Sequence, residues 1–512
     1  MSSTDDATRT DAAVSGVPFG ALGAGFLAMC AGLVAMASFE FVVIPMQTEL
    51  GFSADDANSL TFMPAAASLL VVFIVGALVD RLGARKVMVV GALVFTLGAV
   101  VVGAAQNVGT VTVGRVLGGI GGSTMGIVGL AIINAAVTEP KLRARVFGIF
   151  AATVPAMFFL VPPLSALLVE ASSWRGVTAV WAVLGLGAIL AALKFAGSTS
   201  SVGRRELLTP TLAGVALAGI ALGITNISAG WEVALPLFSI GVVAAVALAI
   251  ALARIAQPSL DLGWTRGPGV RILIIGMIAA AMPNLFFYTN LLLQYRYQES
   301  MLVIALLLMI PQAFAVAGGL LSGPISARVG PAKTGAYALL LAAVTSLSGL
   351  LVAGDAPIWV PVAVLALSAA PIAAAVGPLT ESLLNHAPQE LSGVASSVRD
   401  GFWTLGGCVG GAIFGAFAFN AFQGRLEQAL DATSVTSEQA HLIAQQIRGG
   451  GFVAEIATRI PDAAARDLLV GQASGLLDAQ SHAYAVVSVL SSLVFVIAFA
   501  LMVGYMRRSG RA

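Results

Sequence analysis

Fourteen long apolar runs restrict the fold of this chain more than any other feature of its sequence. Each run is close to the roughly 20 apolar residues that a helix needs to cross a hydrocarbon core of about 30 Å. Because a backbone inside lipid must satisfy its own polar groups, the runs predict an all-α integral membrane protein. The predicted spans are 19–46, 58–79, 86–105, 109–137, 144–169, 176–196, 209–230, 233–255, 271–295, 300–323, 334–353, 357–384, 400–422 and 482–506.

The composition excludes several classes of protein. Of the 512 residues, 58% are hydrophobic and only 10% are charged, and the mean hydropathy is +0.95, which argues against a soluble enzyme. The net charge of +1 lacks the basic field that nucleic-acid binding needs. The sequence shows no G-x-S-x-G elbow and no Walker phosphate loop. We therefore expect a multi-pass protein of the cell membrane that is not an enzyme, has no cofactor or metal, and binds neither nucleic acid nor ATP.

The positive charges predict the orientation of the chain. With the N-terminus inside, 19 of the 26 Lys and Arg residues fall on the cytoplasmic side, as the positive-inside rule requires, and the even number of spans puts both termini there. Residues 1–17 are polar and predict a disordered tail, and 508–512 form a second short tail. The outer segment 423–480 has apolar residues at three- and four-residue spacing, typical of short amphipathic helices.

An internal repeat divides the chain. The loop GALVDRLGARK at 76–86 matches GPISARVGPAK at 323–333, with Gly, Arg, Gly and Lys in identical places and Asp80 replaced by Ala327. Parallel repeats of this kind are a transporter architecture with a substrate site between the halves. The repeat predicts one six-helix bundle at 18–198, two inserted helices at 199–268 and a second six-helix bundle at 269–507.

The first loop resembles the loop signature of the major facilitator superfamily. The residues in register are Gly76, Leu78, Asp80, Arg81, Gly83 and Lys86, with Arg85 near the basic end. The fourteen spans are similar to those of the drug:proton antiporter branch, as are Trp231, QPSLDL at 257–262, Gln294 and the glycine-rich stretch 392–415. The resemblance implies two bundles that rock about a central cavity, in a chain that we expect to work as a monomer.

The loop signature places a carboxylate and several cations at a helix junction. Asp80 can pair with arginines or cap a helix N-terminus in one conformation and release them in the other. We expect a gating role for the loop rather than a static ion pair. The expected gating residues are Gly76, Asp80, Arg81, Gly83, Arg85, Lys86 and Arg328.

Two ionisable residues lie deep inside predicted spans, where charge is costly. Glu40 lies six residues before the outer end of span 1, and Arg115 lies six residues after the outer start of span 4. At 1.5 Å per residue both would lie about 9 Å deep and could meet. Arg115 and Gly119 also resemble the family's R-x-x-Q-G element, which is linked to proton transfer. Proton coupling is the favoured role, and a buried salt bridge or a counter-charge for a cationic substrate are the alternatives.

Two further groups of residues are candidates in the second half of the chain. Glu381, Arg399 and Asp400 are expected close together as an inner gate or structural pair. Polar and aromatic side chains of spans 9 and 13 are expected to line the substrate cavity. These cavity residues are Asn284, Tyr288, Gln294 and Trp403.

The sequence therefore predicts a secondary transporter that exports amphipathic or cationic organic compounds in exchange for protons. Its partners would be a small-molecule substrate, protons and the lipid bilayer. A proton-coupled uptake symporter or metabolite carrier is the first alternative, because VPPLSA at 161–166 departs from the glycine-rich element of antiporters. A membrane receptor without turnover is the second.

Overall fold

The computed structural model describes residues 19–431 and 473–509, apart from 53, 196–205, 228–229, 257, 284, 296, 298–300 and 353–355. Fourteen stretches of these residues are helical and apolar enough to cross a membrane, which confirms the predicted number of spans. The predicted N-terminal tail and the centre of the outer segment lie outside the described residues.

The first eight spans are single helices, and their length follows from the uninterrupted apolar runs. They are α1 (Phe19–Leu50), α2 (Ala54–Leu82), α3 (Ala84–Gly103), α4 (Val108–Ala136), α5 (Pro140–Ala171), α6 (Trp174–Phe195), α7 (Leu208–Thr225) and α8 (Trp231–Arg254).

The described residues of the second half form seven α-helices in six spans. They are α9 (Pro268–Ala281), α10 (Leu285–Tyr295), α11 (Met301–Val329), α12 (Pro331–Ser346), α13 (Trp359–Leu384), α14 (Ser392–Asp431) and α15 (Ala473–Ser509). Span 9 is split into α9 and α10 beside Pro283, which has no backbone N–H to continue a helix. Helices α14 and α15 extend into the predicted outer segment 423–480 from both sides. The amphipathic helices predicted there fall mostly on 432–472, outside the described residues.

Helices α1 to α6 form one bundle and α9 to α15 the other; two apolar clusters lie in the second bundle, and the largest cluster fills the first bundle and extends to Val394 and Val398 of α14. We use inner end for the end with the loops at 76–86 and 323–333, and outer end for the opposite one. At the outer end of the first bundle, Glu49 accepts hydrogen bonds from Trp174 Nε1 and from Arg175, which also donates to the carbonyl of Ala105. The hydrogen bonds from Arg175 and Trp174 lower the pKa of Glu49 below its usual value.

The repeat is visible in the backbone of both loops. Gly83 has φ +86° and Gly330 has φ +93°, a region that favours glycine, and each precedes the next helix of its bundle. The N–H of each glycine bonds the carbonyl four residues earlier. The same turn therefore joins α2 to α3 and α11 to α12.

The inserted pair α7 and α8 packs through glycines. A side chain at Gly219 would lie 2.6 Å from Gly241, so the two helices are in backbone contact. Helix α7 also contacts α2, where Gly214 meets the carbonyl of Leu70, and α14, where Leu217 meets Gly401. The inserted pair therefore lies against both bundles, on the side where α2 and α14 meet.

Candidate functional site: an outer cleft and an inner gate

One face of α1 changes from buried to exposed along its length. Leu22, Met29, Met36 and Glu40 share this face, because steps of seven and four residues return to the same side of a helix. Leu22 and Met29 are buried in a cluster that includes Phe147 of α5 and residues of α13 and α14. Met36 is 63% exposed, and Glu40 is exposed as well. The bundles thus touch beside the inner half of α1 and separate beside its outer half.

Helix α14 shows the same change. Gly393, at its inner end, packs so closely on α2 that a side chain there would lie 2.4 Å from the carbonyl of Gly76. Gly407 and Gly411, on the same face nearer the outer end, are exposed, with nothing within 4 Å of the position of a side chain. We call the opening beside Met36, Glu40, Gly407 and Gly411 the outer cleft.

The expected pair of Glu40 with Arg115 does not form. Within the described part of the chain Glu40 has no hydrogen-bond or ion-pair partner, and Arg115 is 7% exposed with no carboxylate within ion-pair distance. Phe39, rather than Glu40, faces Arg115, and the guanidinium lies 3.5 Å from its ring centroid. Because Phe39 and Glu40 are adjacent on α1, their side chains point about 100° apart around the helix. The carboxylate of Glu40 is therefore directed toward the outer cleft and not toward Arg115.

Arg115 has a structural partner that the sequence analysis missed. Its Nε donates to the carbonyl of Leu60 at 3.1 Å. This carbonyl lacks its usual helical donor, because the residue four positions later is Pro64. Ser68 Oγ donates to the carbonyl of Pro64 at 2.7 Å and to that of Gly119 at 3.1 Å. Arg115 therefore stabilises the interrupted turn of α2, and the signal for this in the sequence was the proline within an apolar span.

Asp80 joins the two bundles at the inner end. Its carboxylate accepts hydrogen bonds from the backbone N–H of Gly393 at 2.6 Å and of Val394 at 2.9 Å, which begin α14. Helix N-termini have free N–H groups and a partial positive charge, so an anion is favourable there. Ser397 Oγ adds a bond to the carbonyl of Val72 at 2.7 Å. Of the two arrangements expected for Asp80, the structure has the helix cap.

The other loop residues have different surroundings. Gly76 provides the close approach to α14, and Gly83 provides the turn. Arg85 donates to the carbonyl of Leu193 at the end of α6. Lys86 and Arg328 are exposed, and Arg81 is partly buried.

A second seam closes the inner end between α5 and α11. A side chain at Gly148 would lie 2.9 Å from the backbone of Gly323 and 3.1 Å from the carbonyl of Gly319. A side chain at Gly319 would likewise lie 2.7 Å from the backbone nitrogen of Ala152. Small residues permit this backbone contact between helices of different bundles.

The three residues expected as one inner cluster separate into two groups. Arg399 and Asp400 form an ion pair at 3.4 Å, and Arg399 also lies 5.0 Å from the ring of Phe150 on α5. Glu381 is not part of this pair, since it accepts a hydrogen bond from Ser326 and is in electrostatic range of Arg143 on α5. Both groups reach across to the first bundle.

Of the four predicted cavity residues, the structure describes the side chains of Tyr288 and Trp403. Tyr288 is 9% exposed and packs in the core of the second bundle, because its face of α10 turns toward α14 and α15, so its expected place in a cavity was wrong. Trp403 is partly buried, with its ring 5.1 Å from the guanidinium of Arg399. Asn284 lies outside the described residues, and Gln294 lies in α10 with its side chain outside them.

Comparisons of sequence support this architecture. The model of the Major Facilitator Superfamily matches residues 24–411. The multidrug resistance protein Stp of Mycobacterium tuberculosis is 27% identical over 76% of this chain and 74% of its own length. The methylenomycin A resistance protein of Streptomyces coelicolor is 28% identical over 78% and 85%. The tetracenomycin C resistance and export protein of Streptomyces glaucescens is 27% identical over 76% and 74%.

Solved structures with the same fold include the human organic anion transporter MFSD10, with a TM-score of 0.58 and 17% identity over 95% of this chain and 99% of that one. The proton:xylose symporter XylE has a TM-score of 0.55 and 16% identity over 93% and 94%. The solved structures show the fold, and the family match and the resistance and export proteins among the relatives identify a membrane transporter and not an enzyme. The chain belongs to the major facilitator superfamily.

Proposed function

We propose that this transporter exports amphipathic or cationic organic compounds in exchange for protons, by alternating access. The observation that carries the proposal is the position of Glu40. Its carboxylate is exposed beside the outer cleft and has no partner among the described residues. The resistance and export proteins among the relatives favour export over uptake.

The position of Glu40 gives a physical reason for exchange. The same face of α1 is buried at its inner half, so closing the outer cleft would remove Glu40 from water. An isolated carboxylate transferred from water into a low-dielectric environment is strongly disfavoured unless it is neutralised. A proton from outside or a cationic compound from inside can each supply that neutralisation. Because the two compete for one carboxylate, the cleft would close with one or the other, which is antiport.

Proteoliposomes with an internal pH dye test the proposal. An imposed gradient of ethidium, an amphipathic cation, is expected to drive protons in the opposite direction. Glu40→Gln is expected to abolish this proton movement while the protein still folds, because glutamine cannot titrate. Glu232→Gln is the matched control, since Glu232 is exposed at the start of the peripheral helix α8.

Three results would contradict the proposal. Proton movement in the same direction as ethidium would establish symport. Absence of any substrate-linked proton movement with a panel of organic cations would remove the coupling. Unchanged coupling in Glu40→Gln would show that another group carries the proton.

A further inference from the structure

The segment between α8 and α9 packs into the protein instead of lying free at its inner end. Leu260 is fully buried, and Ser259 is 8% exposed. Leu262 and Trp264 are partly buried against the largest apolar cluster, which contains most of the core of the first bundle together with Leu260, Val394 and Val398. Residues 263–266 form one turn of 3-10 helix, with Gly263 N–H bonded to Asp261 at 2.9 Å.

Glu206 ties this segment to the start of the inserted pair. Its carboxylate accepts hydrogen bonds from the backbone N–H of Thr209 at 2.9 Å and of Ser259 at 2.8 Å, and the N–H of Leu260 donates to Thr209 Oγ1 at 3.3 Å. Burial raises the pKa of Glu206, but hydrogen bonds from Thr209, Ser259 and Leu208 together lower it below its usual value. The anchor is therefore ionised at neutral pH and joins the two chain segments that flank α7 and α8.

Trp264 is in contact with three apolar clusters at once. It packs on one cluster of the second bundle and on two clusters that each contain residues of both bundles. Its indole Nε1 is buried and has no hydrogen-bond partner among the described residues. A side chain that packs where residues of both bundles meet loses part of its packing when the inner ends separate, so it favours the conformation in which they touch.

We propose that residues 259–266 form an inner plug, in which Trp264 seals the inner end while the cleft is open at the outer end and withdraws when the inner end opens. This proposal rests on the alternating access proposed above. It also gives the inserted helices a role, because the Glu206 anchor would make the plug move with α7 and α8.

Cysteine labelling of the full-length protein in detergent tests the plug. In a Cys30→Ala, Cys408→Ala background, Ala395→Cys reports on the inner end, where Ala395 is fully buried, and Gly407→Cys reports on the outer cleft. Trp264→Ala is expected to raise maleimide labelling at position 395 about tenfold and to lower it at 407, because each 1.4 kcal/mol of lost packing changes a population about tenfold. Trp264→Phe keeps an aromatic ring and is expected to change labelling less.

Glu206→Ala is a second variant that leaves the indole in place. It is expected to raise labelling at position 395 through the loss of the anchor. Trp359→Ala is the control, since Trp359 is 65% exposed at the start of α13, and it is expected to leave labelling unchanged. Gel filtration verifies that each variant is folded.

The plug is overturned if folded Trp264→Ala and Glu206→Ala label like the parent protein, or if Trp359→Ala raises labelling at 395 to the same extent. These outcomes are distinct from failure of the proposed function. Labelling reports the opening of the inner end, whereas the proton-coupled ethidium exchange of the parent protein reports transport, and either can fail while the other succeeds.

Discussion

At the scale of the residue, Asp80 is the side chain whose contact depends most directly on conformation. Its two hydrogen bonds cross from α2 to the first turn of α14 and can exist only while the inner ends touch. Charge-assisted bonds of this kind contribute about 1.5 to 3 kcal/mol, against about 0.5 to 1.5 for neutral ones. The contact therefore favours the conformation with the outer cleft open.

Asp80→Asn keeps the shape of this side chain and removes its charge. We expect substrate exchange in proteoliposomes to slow about tenfold, for a loss of about 1.4 kcal/mol, while equilibrium binding of ethidium is retained. Lys86→Gln, an exposed change in the same loop, is the control and should exchange normally. A normal rate in Asp80→Asn would argue against a gating role for this contact.

Single residues were predictable where the local pattern defined the partner. Asp80 lies in a signature at a helix junction, so a helix cap was one of two expected partners. The partner of Arg115 was not predictable from its depth in the membrane, because depth does not specify the direction of a side chain around its helix. The carbonyl of Leu60 is free to accept from Arg115 because Pro64 leaves it without a helical donor. To predict this hydrogen bond, one would need to know which face of α2 lies beside α4.

At the scale of the element, the interrupted turn of α2 gives Arg115 a role in stability that can be measured. Arg115→Met is expected to destabilise the protein by about 1 to 3 kcal/mol, because it leaves the carbonyl of Leu60 without a donor. Pro64→Ala restores a backbone N–H that can reach that carbonyl. In the Pro64→Ala background the cost of Arg115→Met should therefore be smaller by about 1 kcal/mol.

Thermal unfolding of the parent protein, the two single variants and the double variant in one detergent measures this coupling. Ser68→Ala combined with Arg115→Met is the control cycle, since Ser68 bonds the carbonyls of Pro64 and Gly119 and leaves that of Leu60 untouched. Equal costs of Arg115→Met with and without Pro64 would show that the carbonyl is not what holds the arginine.

Elements were predicted more fully than contacts. All fourteen spans follow from apolar length, and the repeat follows from the loop sequences, because both are local properties of the chain. Helices α14 and α15 continue beyond the predicted spans 400–422 and 482–506, because polar residues in a helix that continues into water carry no boundary signal. The packed segment at 259–266 was missed because its burial depends on surfaces from both bundles.

At the scale of the whole molecule, the inner ends of the bundles meet through glycines, and a larger side chain there should keep them apart. Gly148→Val would place the atoms of a branched side chain within about 3 Å of the α11 backbone. Because the backbone of a helix cannot rearrange locally, α5 and α11 would have to move apart. We expect a shift toward the conformation that is open at the inner end, with loss of exchange. Gly126→Ala, in α4, has nothing within 4 Å and serves as the control.

Labelling of Gly407→Cys measures this shift, which should lower the reactivity of the outer cleft by about tenfold. Unchanged reactivity in folded Gly148→Val would mean that the close contact of α5 and α11 does not set the balance between the two conformations.

The position of the inserted pair makes the two flanks of the transporter unequal. Helix α7 lies over the junction of α2 and α14. The acyl chains on that flank therefore meet the hairpin of α7 and α8 rather than the junction behind it. On the opposite flank, Leu160 and Leu164 of α5 and Leu320 and Leu321 of α11 are turned outward. The hairpin therefore shields one flank of the transporter from the acyl chains, whereas the apolar side chains of α5 and α11 face them directly on the other.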